Sequence, residues 1–166
     1  MPRYRGRHTR FRHVKGLLRA LLVLAAVGLL AFGFIQPKLL RVQTDTVISD
    51  ELDSDVRRLR IVYVSDIHYG RWPYLTMDDV SSLVTRINEQ NADLVILGGD
   101  YAGSSTEAVS FFRQIPTIRA TYGVYAVFGE YDRTLPESAL NDLKAVMRSR
   151  SITPIVNDVV SVRIGR

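Results

Sequence analysis

Four acids and one imidazole recur along this chain, each just after a short apolar run. Asp66 and His68 follow Leu59 to Val64, Asp100 follows Leu94 to Leu97, and Glu130 and Asp132 follow Gly123 to Phe128. Asp66 and Asp100 lie 34 residues apart, and Asp100 and Asp132 lie 32 apart, each interval the length of one strand-helix unit. An isolated Asp-x-His reads as a strand-end turn with a surface histidine, but three acids in step with three apolar runs point to one shared site. Carboxylates and imidazole without thiolate suit divalent manganese, iron or zinc. The chain has no cysteine, which excludes disulfides, thiolate metal sites and thiol nucleophiles. Ser104 and Ser105 have no histidine partner for nucleophilic work.

The elements that must position these groups show in the apolar periodicity. Leu59 to Val64, Leu94 to Leu97 and Gly123 to Phe128 read as buried strands. Between them, Thr76 with Asp79 predicts a capped helix carrying Val80, Leu83, Val84 and Ile87, and Thr106 predicts a cap for one carrying Val109, Phe112 and Ile115. Pro136 fits the first turn of a third helix with Leu140, Leu143, Val146 and Met147 on one face. Ile155-Val156 and Val159 to Ile164 read as two more strands joined by a tight turn at Asn157-Asp158. The alternation predicts an α/β fold: a βαβαβ arrangement, mostly parallel, with helices on its faces. In such sheets ligands bind at the carboxyl ends of the strands, where the acids fall.

Charge and hydropathy add an anchor. Seven of the 22 basic residues, from Arg3 to Arg19, cluster at the N-terminus, leaving 15 against 17 acids elsewhere. That remainder has no basic stripe to track a phosphate backbone, which argues against nucleic acid as partner. Leu17 to Ile35 is apolar except for Arg19, and 19 helical residues span about 28 Å, close to a bilayer's hydrocarbon thickness. The expected layout is a basic cytoplasmic flank over 1–16, a transmembrane signal anchor over 17–35, a linker or first-strand region over 36–55 and a globular domain over 56–166. Positive flanking charge predicts a cytoplasmic N-terminus and an outward-facing domain. The competing reading, a cleaved secretory signal, finds a poor cleavage site in Ala31-Phe32-Gly33. Trp72, Tyr74 and Tyr101 fall in rim loops, where local packing is the expected role. Arg133, beside a helix start, is a candidate phosphate contact.

Ser65-Asp66-Ile67-His68, Gly98-Gly99-Asp100 and Gly129-Glu130-Tyr131-Asp132 resemble the first three blocks of the calcineurin-like metallophosphoesterases, which run Asp-x-His, Gly-Asp and Gly-Asn-His-Asp. The resemblance covers about residues 42 to 166 and is strongest to the membrane-associated bacterial branch. It implies that Asp66 and His68 ligate a first metal and that Asp100 bridges to a second. Two such cations, about 3.5 to 4 Å apart, activate a bridging water and offset phosphoryl charge. Glu130 stands where the family has an asparagine ligand of the second metal, adding negative charge where phosphate docks. Tyr131 replaces a histidine that donates to the leaving group, and Asp132, which orients that histidine in the family, has only Tyr131 to hold. A phenol of reference pKa about 10 is a poorer proton donor near neutrality than an imidazole of about 6.5.

The family supplies three further histidine ligands from a second half, ending in Gly-His-x-His. Here His8 and His13 belong to the basic flank, so His68 is the domain's one imidazole. The resemblance therefore implies the N-terminal half of a metallophosphoesterase sandwich, truncated or impaired, with two divalent metals (Mn²⁺, Fe²⁺ or Zn²⁺) in the family. Its implied partners are a membrane and a phosphoester substrate of lipid or envelope origin. The alternative is a non-catalytic membrane-anchored protein that keeps the fold to bind a metal, ligand or partner.

Overall fold

The computed structural model of the chain describes residues 7–35, 40–49, 56–71 and 75–164. Arg3, Arg5, Gln36, Pro37, Lys38, Trp72, Tyr74 and Arg166 lie outside them, as do parts of the expected linker. The chain divides into two units, Met1–Arg41 and Val42–Arg166. The first is built on helix α1, Arg7–Ile35, which begins well before the apolar span at Leu17. Its large apolar side chains from Val14 to Phe32 are exposed, and His13–Gly33 is long and apolar enough to cross a membrane.

The second unit carries β1 (Ile61–Val64), α2 (Met77–Glu89), β2 (Leu94–Leu97), α3 (Ser105–Gln114), β3 (Val124–Ala126), α4 (Glu130–Arg133), α5 (Glu137–Ser149) and β4 (Ile152–Pro154). The four strands form one parallel sheet in the order β1-β2-β3-β4. Register puts Val62, Val95, Val124 and Ile152 in one row across it. This row belongs to the same core as Val80, Val84 and Ile87 of α2, Phe111 and Phe112 of α3, and Leu143 and Met147 of α5.

The adjacent row behaves differently. Tyr63, Ile96 and Tyr125 align on the other face, and Tyr63 is 63% exposed while Ile61 is 50% exposed. The expected helices pack together: α2, α3 and α5 share the core on one face of the sheet. The reason is topological: strands added in sequence order by crossovers of one hand place every connecting helix on the same side.

Three element assignments shift. Helix α3 is capped by Ser104, whose hydroxyl accepts from the Glu107 amide, not by Thr106. Pro136 is the N-cap of α5 and precedes its first turn. The final strand is Ile152–Pro154, and no described residue from Ile155 to Ile164 belongs to a strand. Ser151, at φ 58, turns the chain out of α5, so Ile152, buried to 3% exposure, takes the ladder position beside Val124 before the later apolar run is reached.

Candidate metal centre

The ladder between β1 and β2 does not stop where the strands do. Gly98 donates its amide to the Val64 carbonyl at 2.7 Å, Asp66 to Gly99 at 3.0 Å, His68 to Asp100 at 2.9 Å and Tyr69 to Tyr101 at 2.8 Å. Two loops thus run side by side off the carboxyl edge, carrying Asp66, His68 and Asp100 into one place. All three occupy left-handed backbone, at φ 57, 46 and 56. Asp and His tolerate this region better than most residues, but each such position still costs about 1–3 kcal/mol and persists only where its surroundings hold it. Here the paired loop amides do so.

Asp66, His68 and Asp100 each offer one donor atom within 4.8 Å of the others. Asp66 is exposed, whereas His68 and Asp100 are half-buried. His68 Nε2 lies 3.7 Å from Asp66 Oδ1, and His68 Nδ1 is buried with no hydrogen-bond partner. A buried polar nitrogen left open costs free energy. Imidazole with two carboxylate oxygens is a donor set that borderline divalent ions accept. The residues therefore fit a metal.

Asp132, 2% exposed, is the buried charged residue of the described core. Its Oδ2 accepts from the amides of Asp100 at 2.7 Å and Gly129 at 2.9 Å, and its Oδ1 from Tyr101 at 3.4 Å. The expected partner, the Tyr131 side chain, is not among these. Both oxygens face backbone amides because α4 begins at Glu130 and turns Asp132 back onto its own N-cap, Gly129. Burial pushes the Asp132 carboxyl above the usual carboxylate range, and the three amide bonds oppose that rise. Tyr101 is fully buried: its phenol lies between the carbonyls of Leu97 at 3.0 Å and Val127 at 2.5 Å. Burial pushes it far above the ordinary tyrosine value, with the Asp132 charge adding to the rise.

Close backbone approach explains two glycines. Gly99 sits at φ +99, and a Cβ there would strike the Gly129 backbone; a Cβ on Gly129 would strike the Asp100 carboxylate. A side chain at either position would push apart the strand ends that assemble the cluster.

The remaining candidates surround it. Tyr131 is 42% exposed; its amide donates to Asp100 Oδ1 at 2.9 Å, and its ring meets His68 edge-on at 5.5 Å. Glu130 is exposed and stands outside the three-residue group. Arg133 is exposed, and its Nε donates to the Gly129 carbonyl at 3.3 Å. Arg71, which sequence reasoning passed over, lies with its guanidinium carbon 4.5 Å from the centre of the Tyr131 ring. A signal was available: Arg71 comes three residues after His68 with Gly70 between, a spacing that turns the chain back, and its amide donates to the His68 carbonyl at 3.0 Å.

A family model described as calcineurin-like phosphoesterase matches residues 59–164. Among curated proteins, an uncharacterized metallophosphoesterase of Helicobacter pylori (strain ATCC 700392 / 26695) is 29% identical over 130 residues, covering 75% of this chain and 33% of that protein. The uncharacterized metallophosphoesterase YkuE of Bacillus subtilis is 26% identical over 133 residues, covering 75% of this chain and 45% of its own length. The phosphodiesterase YaeI of Escherichia coli is 26% identical over 105 residues, covering 62% and 38%. The chain thus spans between a third and just under half of these relatives. No solved structure matches it.

Proposed function

The chain belongs to the calcineurin-like phosphoesterase family, and from that premise we propose that Asp66, His68 and Asp100 hold a divalent metal ion in a hydrolase acting on phosphoesters. The observation that carries this reading is the approach of three donor atoms to within 4.8 Å of one another. When bound, manganese, iron or zinc would lower the pKa of a coordinated water and offset charge on phosphoryl oxygens. The chain's own part is to hold the donors: Asp132 fixes the Asp100 turn through its amide, and the Tyr131 amide orients the Asp100 carboxylate. Tyr131 is assigned to the leaving-group side, and Glu130 to a second ion shared with Asp100. His13–Gly33 is assigned as a single-pass anchor with its N-terminus cytoplasmic, giving the domain access to lipid or envelope phosphoesters.

A second reading, metal or ligand binding without turnover, is favoured by one observation: Glu130 stands outside the three-residue group. Titration of the detergent-solubilised chain with Mn²⁺, paired with an assay on a nitrophenyl phosphodiester, separates the two. Saturable binding and turnover, both lost in Asp100→Asn, support hydrolysis. Binding without turnover supports the second reading, and no binding by the unaltered chain sinks both.

A further inference from the structure

A phosphoryl group docking at this rim meets the carboxylates of Asp66 and Asp100, so it needs cationic partners beyond one metal ion. Two arginines stand close by. Arg133 gives its Nε to the Gly129 carbonyl at 3.3 Å. Arg71 is exposed and makes no ion pair or side-chain hydrogen bond among the described residues; its guanidinium rests over the Tyr131 ring at 4.5 Å. That ring packs edge-on against His68, and the Tyr131 amide holds Asp100, so the platform under Arg71 is fastened to two of the three clustered residues. The turn closed by the Arg71 amide on the His68 carbonyl fixes the other end of the residue.

We propose that Arg71 is a phosphate-binding residue: its guanidinium, held over Tyr131, donates to non-bridging oxygens of a phosphoryl group docked beside Asp66, His68 and Asp100. The inference rests on the phosphoester reading above. Stacking on an aromatic face leaves the planar fork of donors free along its edge and removes part of the rotamer freedom that binding would otherwise cost. A lysine delivers the charge but not the paired donors.

The test is inorganic phosphate binding to the Mn²⁺-loaded, detergent-solubilised chain by calorimetry, with Mn²⁺ affinity measured separately. Arg71→Ala is expected to keep Mn²⁺ affinity and thermal midpoint while weakening phosphate roughly ten- to a hundredfold, the range for charge-assisted hydrogen bonds. Arg71→Lys should recover part of that loss. Phosphate binding that survives Arg71→Ala, or that the unaltered Mn²⁺-loaded chain lacks, would overturn the proposal. Absence of Mn²⁺ binding would instead remove the metal reading beneath it, and the inference with it.

Discussion

Asp132 holds three amides that no other described group holds: those of Asp100, Tyr101 and Gly129. It joins the end of β2 to the turn after β3 at the point where donor atoms must converge, so its work on the site passes through the backbone. Asp132→Ala would strand those amides in a dry setting and is expected to cost about 2–4 kcal/mol in urea unfolding, with Asp132→Asn, which keeps one accepting oxygen, costing less. A loss below about 0.5 kcal/mol, the range of ordinary surface changes, would show that the carboxylate does not tie these loops. Gly129→Ala addresses the same junction by steric means. Its methyl collides with the Asp100 carboxylate, so Mn²⁺ affinity should fall at least tenfold even where the fold survives.

Helices α3 and α5 back the sheet through an aromatic and aliphatic core. Phe112 meets Tyr101 and Phe111 edge-to-face, both at 4.9 Å, which links the helix layer to the loop carrying Asp100. Phe112→Ala should therefore destabilise by about 3–5 kcal/mol, as large-to-small changes in tight cores do, measured by chemical denaturation. At the start of α3, three successive residues of cap type, Ser104, Ser105 and Thr106, compete for the N-cap. Glu107 decides: it stands three residues after Ser104, whose hydroxyl donates to its carboxylate at 2.7 Å. Ser104→Ala is expected to cost about 1 kcal/mol and Thr106→Ala close to nothing, a contrast that thermal melts can read.

Across the whole molecule, two exposed apolar surfaces call for different tests. The apolar length of His13–Gly33 predicts that the full chain fractionates with membranes and that removing residues 1–35 moves it to the soluble fraction. Recovery of a soluble mature chain lacking about thirty N-terminal residues would instead mark the segment as a cleaved signal. On the globular unit, Ile61 and Tyr63 leave one sheet face open to solvent. Open apolar sheet surface promotes association, so Ile61→Lys in the anchor-free chain should lower self-association in light scattering without changing Mn²⁺ affinity.

Much was legible without coordinates, because local rules wrote it. Period-3.6 stripes marked α2, α3 and α5, the Thr76–Asp79 box marked a helix start that the structure shows with both of its reciprocal bonds, and Asp66, His68 and Asp100 announced themselves by following apolar runs at one-unit spacing. Other features depended on contacts between residues distant in sequence, which no local pattern encodes. Only the assembled sheet decided that Ile152 would occupy the ladder beside Val124 and that α2, α3 and α5 would share one core with it. Side-chain partners were equally beyond reach: Asp132 could be seen as an acid near the rim, but its choice of the Asp100 amide, 32 residues away, over its neighbour Tyr131 follows from the packing of Gly99 against Gly129. Arg71 belongs to the same class, since its place over the Tyr131 ring exists only once two loops from different strands have been brought together.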